Sequence, residues 1–375
     1  EEGGDMYDLL SFTSPEFVER KNTKESEYGY RGKIENIKLI AFEQEGKYGL
    51  KDKSGNIILE CKYDKIKKSS WNGRGWIILF DGKWGAVNER GETLFETRYE
   101  EIKEKYEGGH YIKKDGKWGF CDADGNYTVD CIYDEIENYS SEWNGFKVKE
   151  SGKWGYIDDN GQIIVPIEYD YISFGSNRML RVKKEEKYGF FNLNDCTLIP
   201  LDYDMAYDFT SSHPNEAVVK SGNLWAVIDT HNKFILPFAY QNIDIDDDNT
   251  YRVKQNGLYG IINRDGKVLF PFKYTSLGKF DKSGITFAAN HERKFGYINR
   301  ENKIVINFIF DGANNFEGNY AVVSNGWDRD GVVDKSGKIV IPLIYHSIHI
   351  RWDDIVEVVN RDDNHRRFLY GMFDL

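Results

Sequence analysis

Cysteine, methionine and proline are all scarce here: four, four and seven in 375 residues. Cys61 and Cys131 recur at one repeat position, two residues before Tyr63 and Tyr133, where other copies carry Ile167, Phe272 or Phe308. They read as small core residues that cannot meet. Cys121 falls inside a strand and Cys196 in a turn region, so neither a disulfide framework nor metal-ligand spacing follows. No run of about 18 apolar residues is present, which predicts no membrane insertion. The net charge is −12, with acids and bases interspersed. That argues against a nucleic-acid partner, which usually faces a basic patch. The acidity reads as solubility.

The residues of a conventional active site are missing as well. The histidines are His110, His213, His231, His291, His346, His349 and His365, and none forms a metal motif. No phosphate-cradling glycine loop or nucleophile elbow occurs. No nucleophile, base and orienting group stand out at unique positions, so the chain reads as a non-enzyme without a cofactor. The sharpest charge anomaly is Asp244-Ile245-Asp246-Asp247-Asp248. It reads as a solvated loop between units, with a weak calcium site at Asp244, Asp246, Asp247 and Asp248 as the alternative. Asp122-Ala123-Asp124-Gly125 has a calcium-loop look, but its register and flanks are wrong for an EF-hand and a turn is the better reading.

What is abundant is tyrosine (25), glycine (36) and a repeated phrase. Ten times an aromatic position, a glycine and two mostly apolar residues lead into Asp or Asn. Examples are Trp84-Gly85, Trp118-Gly119, Trp154-Gly155, Tyr188-Gly189 and Tyr259-Gly260, and the copies lie about 35 residues apart. A fixed period makes the fold an array of equal units rather than one globule. Three residues after the glycine comes Asp or Asn in every copy, Asp52, Asn88 and Asp158 among them. Three further on stands a residue tolerant of positive φ: Gly55, Gly91, Gly125, Gly161, Asp195, Asn232, Gly266, Asn302 or Gly337. This is hairpin chemistry, a type I turn closed by a left-handed residue.

Apolar residues at both alternating positions, as in Trp154–Ile157 and Ile163–Val165, predict strands covered on both faces by neighbouring units. A preceding strand such as Phe146–Lys149 makes each unit a meander of about three strands, without helical periodicity. The motif glycine, replaced once by Ala226, reads as a place where an aromatic from an adjacent strand or unit lies across the backbone. Pro166, Pro200, Pro237, Pro271 and Pro342 share one position and predict a bend or bulge. The acids that follow the closing tyrosine, as in Tyr63-Asp64 and Tyr169-Asp170, read as local turn caps. Trp71-Asn72-Gly73 and Trp143-Asn144-Gly145, with Phe316-Glu317-Gly318 in the equivalent place, read as packing between units.

These phrases resemble the WG repeat family of bacterial proteins. Lys153-Trp154-Gly155-Tyr156-Ile157-Asp158, Gly161, Pro166, Tyr169-Asp170 and Phe316-Glu317-Gly318 carry the match. It departs at Trp225-Ala226, and at Asp330, where the aromatic Trp327 is displaced. The resemblance implies an all-β array, often in secreted or surface-associated proteins, with no general enzymatic activity and no catalytic residues to carry over. Residues 1–27 read as a cap or linker and 28–375 as the array. Two architectures fit: an open, twisted, solenoid-like stack, which the alternating spacing of the early copies favours, and a closed β-propeller. In the propeller, Lys33-Ile34-Glu35-Asn36 and the C-terminal strand would complete one blade. The chain starts on Glu-Glu-Gly-Gly rather than Met, which reads as a processed or trimmed start, so localisation stays open. The leading functional reading is a scaffold that binds another protein. The alternative is a glycan-binding array with Tyr and Trp as stacking platforms.

Overall fold

The computed structural model describes residues 39–374 apart from 70–74, 106–107, 138–142, 247–249, 328, 352–354 and 362–367. The expected segment 1–27, Lys33–Asn36, Trp71-Asn72-Gly73, Asp247 and Asp248 lie outside the described residues. Among those described there is no α-helix; strands form ten antiparallel sheets in chain order, here called units one to ten.

Eight of the sheets have four strands and the first and last have three. The expectation of three strands per unit is therefore corrected. In unit four the strands are Glu135–Glu137, Gly145–Glu150, Lys153–Asp158 and Ile163–Tyr169, hydrogen-bonded in that order. The extra strand is the short first one, directly after the Tyr-Asp pair. At two to four residues in units two to nine it is too short to show a period.

Third and fourth strands do not pair evenly. Trp154 faces Tyr169 and Tyr156 faces Val165, so the fourth strand carries extra residues and bulges there. Pro166 sits in that bulge, as its missing N–H requires. The bulge also accounts for the motif glycine. A Cβ built on Gly119 would lie 2.5 Å from the carbonyl oxygen of Val129 and 2.8 Å from the backbone at Cys131. At Gly49, Gly119, Gly189 and Gly296 the crowding atoms are backbone of the bulged strand, which corrects the sequence reading there, whereas at Gly260 the Phe272 ring also lies 3.1 Å away.

Turns follow their sequence chemistry closely. Asp158 accepts the N–H groups of Asn160 (2.9 Å) and Gln162 (2.8 Å), and Gly161 has a φ of 81°. Copy five differs: its left-handed residue is Cys196 (φ 58°), not Asp195. There the ladder runs on through Asn192↔Thr197 and the turn shifts by one residue.

Nine hydrophobic clusters occupy the nine junctions between consecutive sheets. Tyr156 packs with Ile172, Leu180 and Val182 of unit five, while its chain neighbour Ile157 packs with Phe120 and Val129 of unit three. Each third strand is thus buried on both faces, as expected. Extensive strand contacts run within a sheet or to the next sheet, and none joins the first sheet to the last among the described residues. The described sheets therefore stack in chain order as an array.

Candidate interaction surface

Motif aromatics are covered rather than presented. Trp118 is buried, with the ammonium groups of Lys103 and Lys113 over its ring at 4.3 and 5.4 Å. Trp154 lies beneath Lys147 and Lys149 (4.2 and 5.1 Å), Tyr188 beneath Lys183 (5.5 Å) and Tyr259 beneath Lys254 (5.2 Å). Trp84 packs against the junction of units two and three. The faces of Trp118, Trp154, Tyr188 and Tyr259 attract cations from other strands of the same unit. Trp143 and Phe316 are also buried at junctions, and the carbonyl of Trp143 accepts the Tyr156 hydroxyl at 2.5 Å. At Trp118, Trp154, Tyr188 and Tyr259 a ring face that could stack on a sugar therefore already meets a lysine ammonium.

The acids after the closing tyrosine form a second repeated device. Asp134 accepts from Lys117 Nζ of its own unit at 2.5 Å and from the Ser151 N–H at 2.8 Å. Ser151 lies in the turn between the second and third strands of the next unit. Asp64 does the same with Lys47 and Asp81, and Asp204 with Lys187 and Gly222. These carboxylates do cap turns, but the turn belongs to the following unit, so the reading of a local cap is corrected. The lysine ammonium beside Asp64, Asp134, Asp170 and Asp204 holds each carboxyl below its ordinary value, and turn N–H groups add to the effect. Lysine and acid stand 17 residues apart in each pair. In copies six and seven both members change together: Leu224 with Gln241, and Leu258 with Thr275.

A third device stitches edges. Tyr274 donates its hydroxyl to Asn302 Oδ1 (2.5 Å), the left-handed turn residue of the next unit, and Tyr203 makes the same bond to Asn232.

Within the acidic tract the two described acids, Asp244 and Asp246, are both paired. Arg252 lies 3.2 Å from Asp244 and 3.4 Å from Asp246, so one guanidinium bridges both carboxylates. Among the described residues no three His, Cys, Asp or Glu side chains come together as a metal-binding group. His110 is buried at the junction of units two and three, where burial holds its pKa below the ordinary value. His213 Nε2 lies 3.4 Å from the Asp246 carbonyl, and His231 Nε2 lies 3.6 Å from Asp195. His365 lies outside the described residues. Cys121 is buried, Cys61 and Cys131 are half-buried and Cys196 is exposed, all as free thiols. No helix among the described residues is long and apolar enough to cross a membrane.

What the motif reading missed is a row outside the motif. In units one to nine the first residue of the last strand is Ile57, Tyr127, Ile163, Phe234, Val268, Ile304 and Ile339 in seven, and Thr93 and Thr197 in two. The seven large side chains are between 46% and 60% exposed. The signal was available, since each stands eight residues after the motif position, but strand alternation alone assigns such residues to a core. In copy nine the displaced Trp327 is 97% exposed.

The chain was compared with known families, curated proteins and solved structures. The WG containing repeat family matches residues 48–84, 84–118, 118–154, 154–188, 225–259, 259–290, 295–326 and 331–350. The unmatched stretch between 188 and 225 contains the shifted turn at Cys196. A search of the curated proteins found no match. Among solved structures the chain is similar to a eukaryotic initiation factor, 10% identical over 90% of this chain and 96% of that one, with a TM-score of 0.37. It is also similar to BamB from Moraxella catarrhalis, 11% identical over 80% and 94%, with a TM-score of 0.32. Likeness at that level says nothing about activity. With eight family matches spanning most of its length and the same unit built ten times, the chain belongs to the WG containing repeat family.

Proposed function

We propose that this protein is a non-catalytic repeat scaffold that binds another protein, as a module of a secreted or surface-associated bacterial protein. The observation that carries this reading is the exposed row Ile57, Tyr127, Ile163, Phe234, Val268, Ile304 and Ile339. Scattered exposed apolar residues need no explanation, but recurrence at one register position makes a stripe, and stripes of that kind mark interaction sites. The covered motif rings support the same reading, because they leave the row as the main repeated feature not absorbed by the fold.

The test is affinity capture from the source organism with the intact chain and a variant carrying Ile163→Ser, Phe234→Ser and Ile304→Ser. A partner retained by the natural chain and lost from the variant, with thermal unfolding unchanged, is the expected result. Identical captured proteins from both would overturn it. Glycan-array binding that depends on exposed aromatics would replace it with the carbohydrate reading.

A further inference from the structure

We propose that units six to nine dock an extended acidic peptide segment on a ladder of paired lysine and apolar side chains. This deepens the scaffold reading and rests on it. The residue just before the exposed row is Lys233, Lys267, Lys303 and Lys338 in four consecutive units. In units one to four the same place holds Asn56, Glu92, Asn126 and Gln162. Each lysine is followed by its apolar partner, Phe234, Val268, Ile304 or Ile339, and all eight side chains are exposed.

The lysines are held alike. The N–H of Lys233 reaches Asp229 Oδ1 at 2.9 Å, that of Lys267 reaches Asn263 Oδ1 at 2.8 Å, that of Lys303 reaches Asn299 Oδ1 at 2.9 Å, and that of Lys338 reaches Asp334 Oδ1 at 3.0 Å. Their carbonyls accept from the same four residues. With both backbone groups engaged in one turn type, the side chains leave from equivalent points in every unit.

Pitch and charge define the occupant. Packed sheets lie about 10 Å apart, and extended chain advances about 3.3 Å per residue, so about three residues span one unit. A polyproline-type segment returns to the same face every third residue, over about 9.3 Å. The fitting ligand carries an acid and an apolar residue in each triplet. A net charge of −12 repels a broad anionic surface such as a bilayer or nucleic acid, whereas a short segment meets only the local lysines. Glu301, 3.2 Å from Lys303, is a highly exposed acid that the ligand would displace.

The probe is a fluorescein-labelled peptide of four Glu-Leu-Pro triplets, followed by anisotropy, with a Lys-Leu-Pro peptide as control and phosphatidylserine vesicles as a separate arm. The acidic peptide should bind saturably and weaken as salt rises, and the lysine peptide should not bind. An exposed ion pair contributes roughly a factor of two, so reversing K233E, K267E, K303E and K338E should weaken binding about 16-fold. Replacing the same lysines by methionine gives a second variant that keeps the stems, and circular dichroism checks both folds. No binding of the acidic peptide, equal affinity for the reversed variant, or sedimentation with vesicles alone would overturn the ladder. If serine replacement of the apolar row releases the captured partner while lysine reversal leaves it bound, the ladder falls and the scaffold stands. If neither set of changes affects the partner, the scaffold reading itself falls.

Discussion

Replacing Gly119 by alanine tests the bulge account most directly. The added Cβ would stand 2.5 Å from the Val129 carbonyl oxygen and 2.8 Å from two further backbone atoms, one at Asp130 and one at Cys131. Ordinary contact begins near 3.4 Å, so the third and fourth strands must separate by most of an ångström. No side-chain rotation relieves the clash, because every crowding atom is backbone. Overpacking of this kind costs about 1–3 kcal/mol, and a clash against fixed backbone belongs at the upper end, about 3 kcal/mol. The control is Gly116→Ala, at a φ of 77° with nothing within 4 Å of the new Cβ, where the left-handed backbone alone costs about 1 kcal/mol. Ala226 shows that a unit can be built around one methyl group, so the penalty comes from moving strands already packed. Urea unfolding of both variants measures the difference, and native-state hydrogen exchange locates it. Lost protection should centre on unit three and its two junctions, since each unit touches only its neighbours. A Gly119→Ala chain as stable as the natural one, or less perturbed than Gly116→Ala, would refute the account.

Three further outcomes follow from the repeated devices. Asp158→Ala removes the acceptor for two turn N–H groups and should destabilise by about 1 kcal/mol, while Asp158→Asn, the choice of copies two, five, seven and eight, should be nearly neutral in the same urea assay. Restoring the missing pair in copy six with Leu224→Lys and Gln241→Asp should raise the melting temperature by more than the sum of the single changes; strict additivity would show that the pair does not interact. Asp64, Asp134, Asp170 and Asp204 have folded pKa values below their unfolded ones. The unfolded chain therefore binds more protons near their ordinary value of 3.8, and their contribution is present above that pH and lost as pH falls through the depressed folded values. Asparagine at all four should flatten that acid limb of a stability–pH curve, and an unchanged curve would count against the clamp.

The parts legible in the sequence were those whose partners lie within a few residues. Asp158 and Gly161 announce their turn because the side-chain oxygen bonds amides two and four residues on. Period and alternation likewise disclosed stacked sheets with third strands buried on both faces, but the same expectation fails for the fourth strand, where Ile163 is exposed. Three features escaped because their partners are tertiary. The short strand Glu135–Glu137 carries too few residues to show a period. The neighbour of the motif glycine is a bulge on the next strand, and nothing near Gly119 names Val129 as the obstacle. Asp134 pairs with Lys117 and with the amide of Ser151, 17 residues away on either side. The exposed row went unread for another reason: Ile163 and Val165 look alike in sequence, yet one stands in solvent and the other is fully buried.

The devices also divide the array. The lysine–acid clamp ties the junctions after units one to five, with Glu100 serving more loosely in unit two, where it lies 3.8 Å from Lys83. It is absent after units six and seven, and returns after unit eight as Lys294 with Asp311. At those two junctions Gln241 still accepts the Gly257 N–H at 2.7 Å, so the turn cap survives while the cation is gone. Thr275 instead donates to the Asn290 carbonyl at 2.9 Å. The ladder of Lys233, Lys267, Lys303 and Lys338 begins in the unit where the clamp is lost. In units six and seven a lysine is thus missing from the position that binds unit to unit while one stands at the position that faces solvent, and unit eight carries both Lys294 and Lys303. Hydrogen exchange offers a direct check. The turn amides at Gly257 and Asn290 should exchange faster than those at Ser151 and Gly222, because their junctions hold no ammonium–carboxylate pair. Acidic peptide bound across units six to nine should slow them. Equal exchange at all four amides in the free chain would mean that the clamp contributes nothing to the junctions, and the two halves would then be mechanically alike.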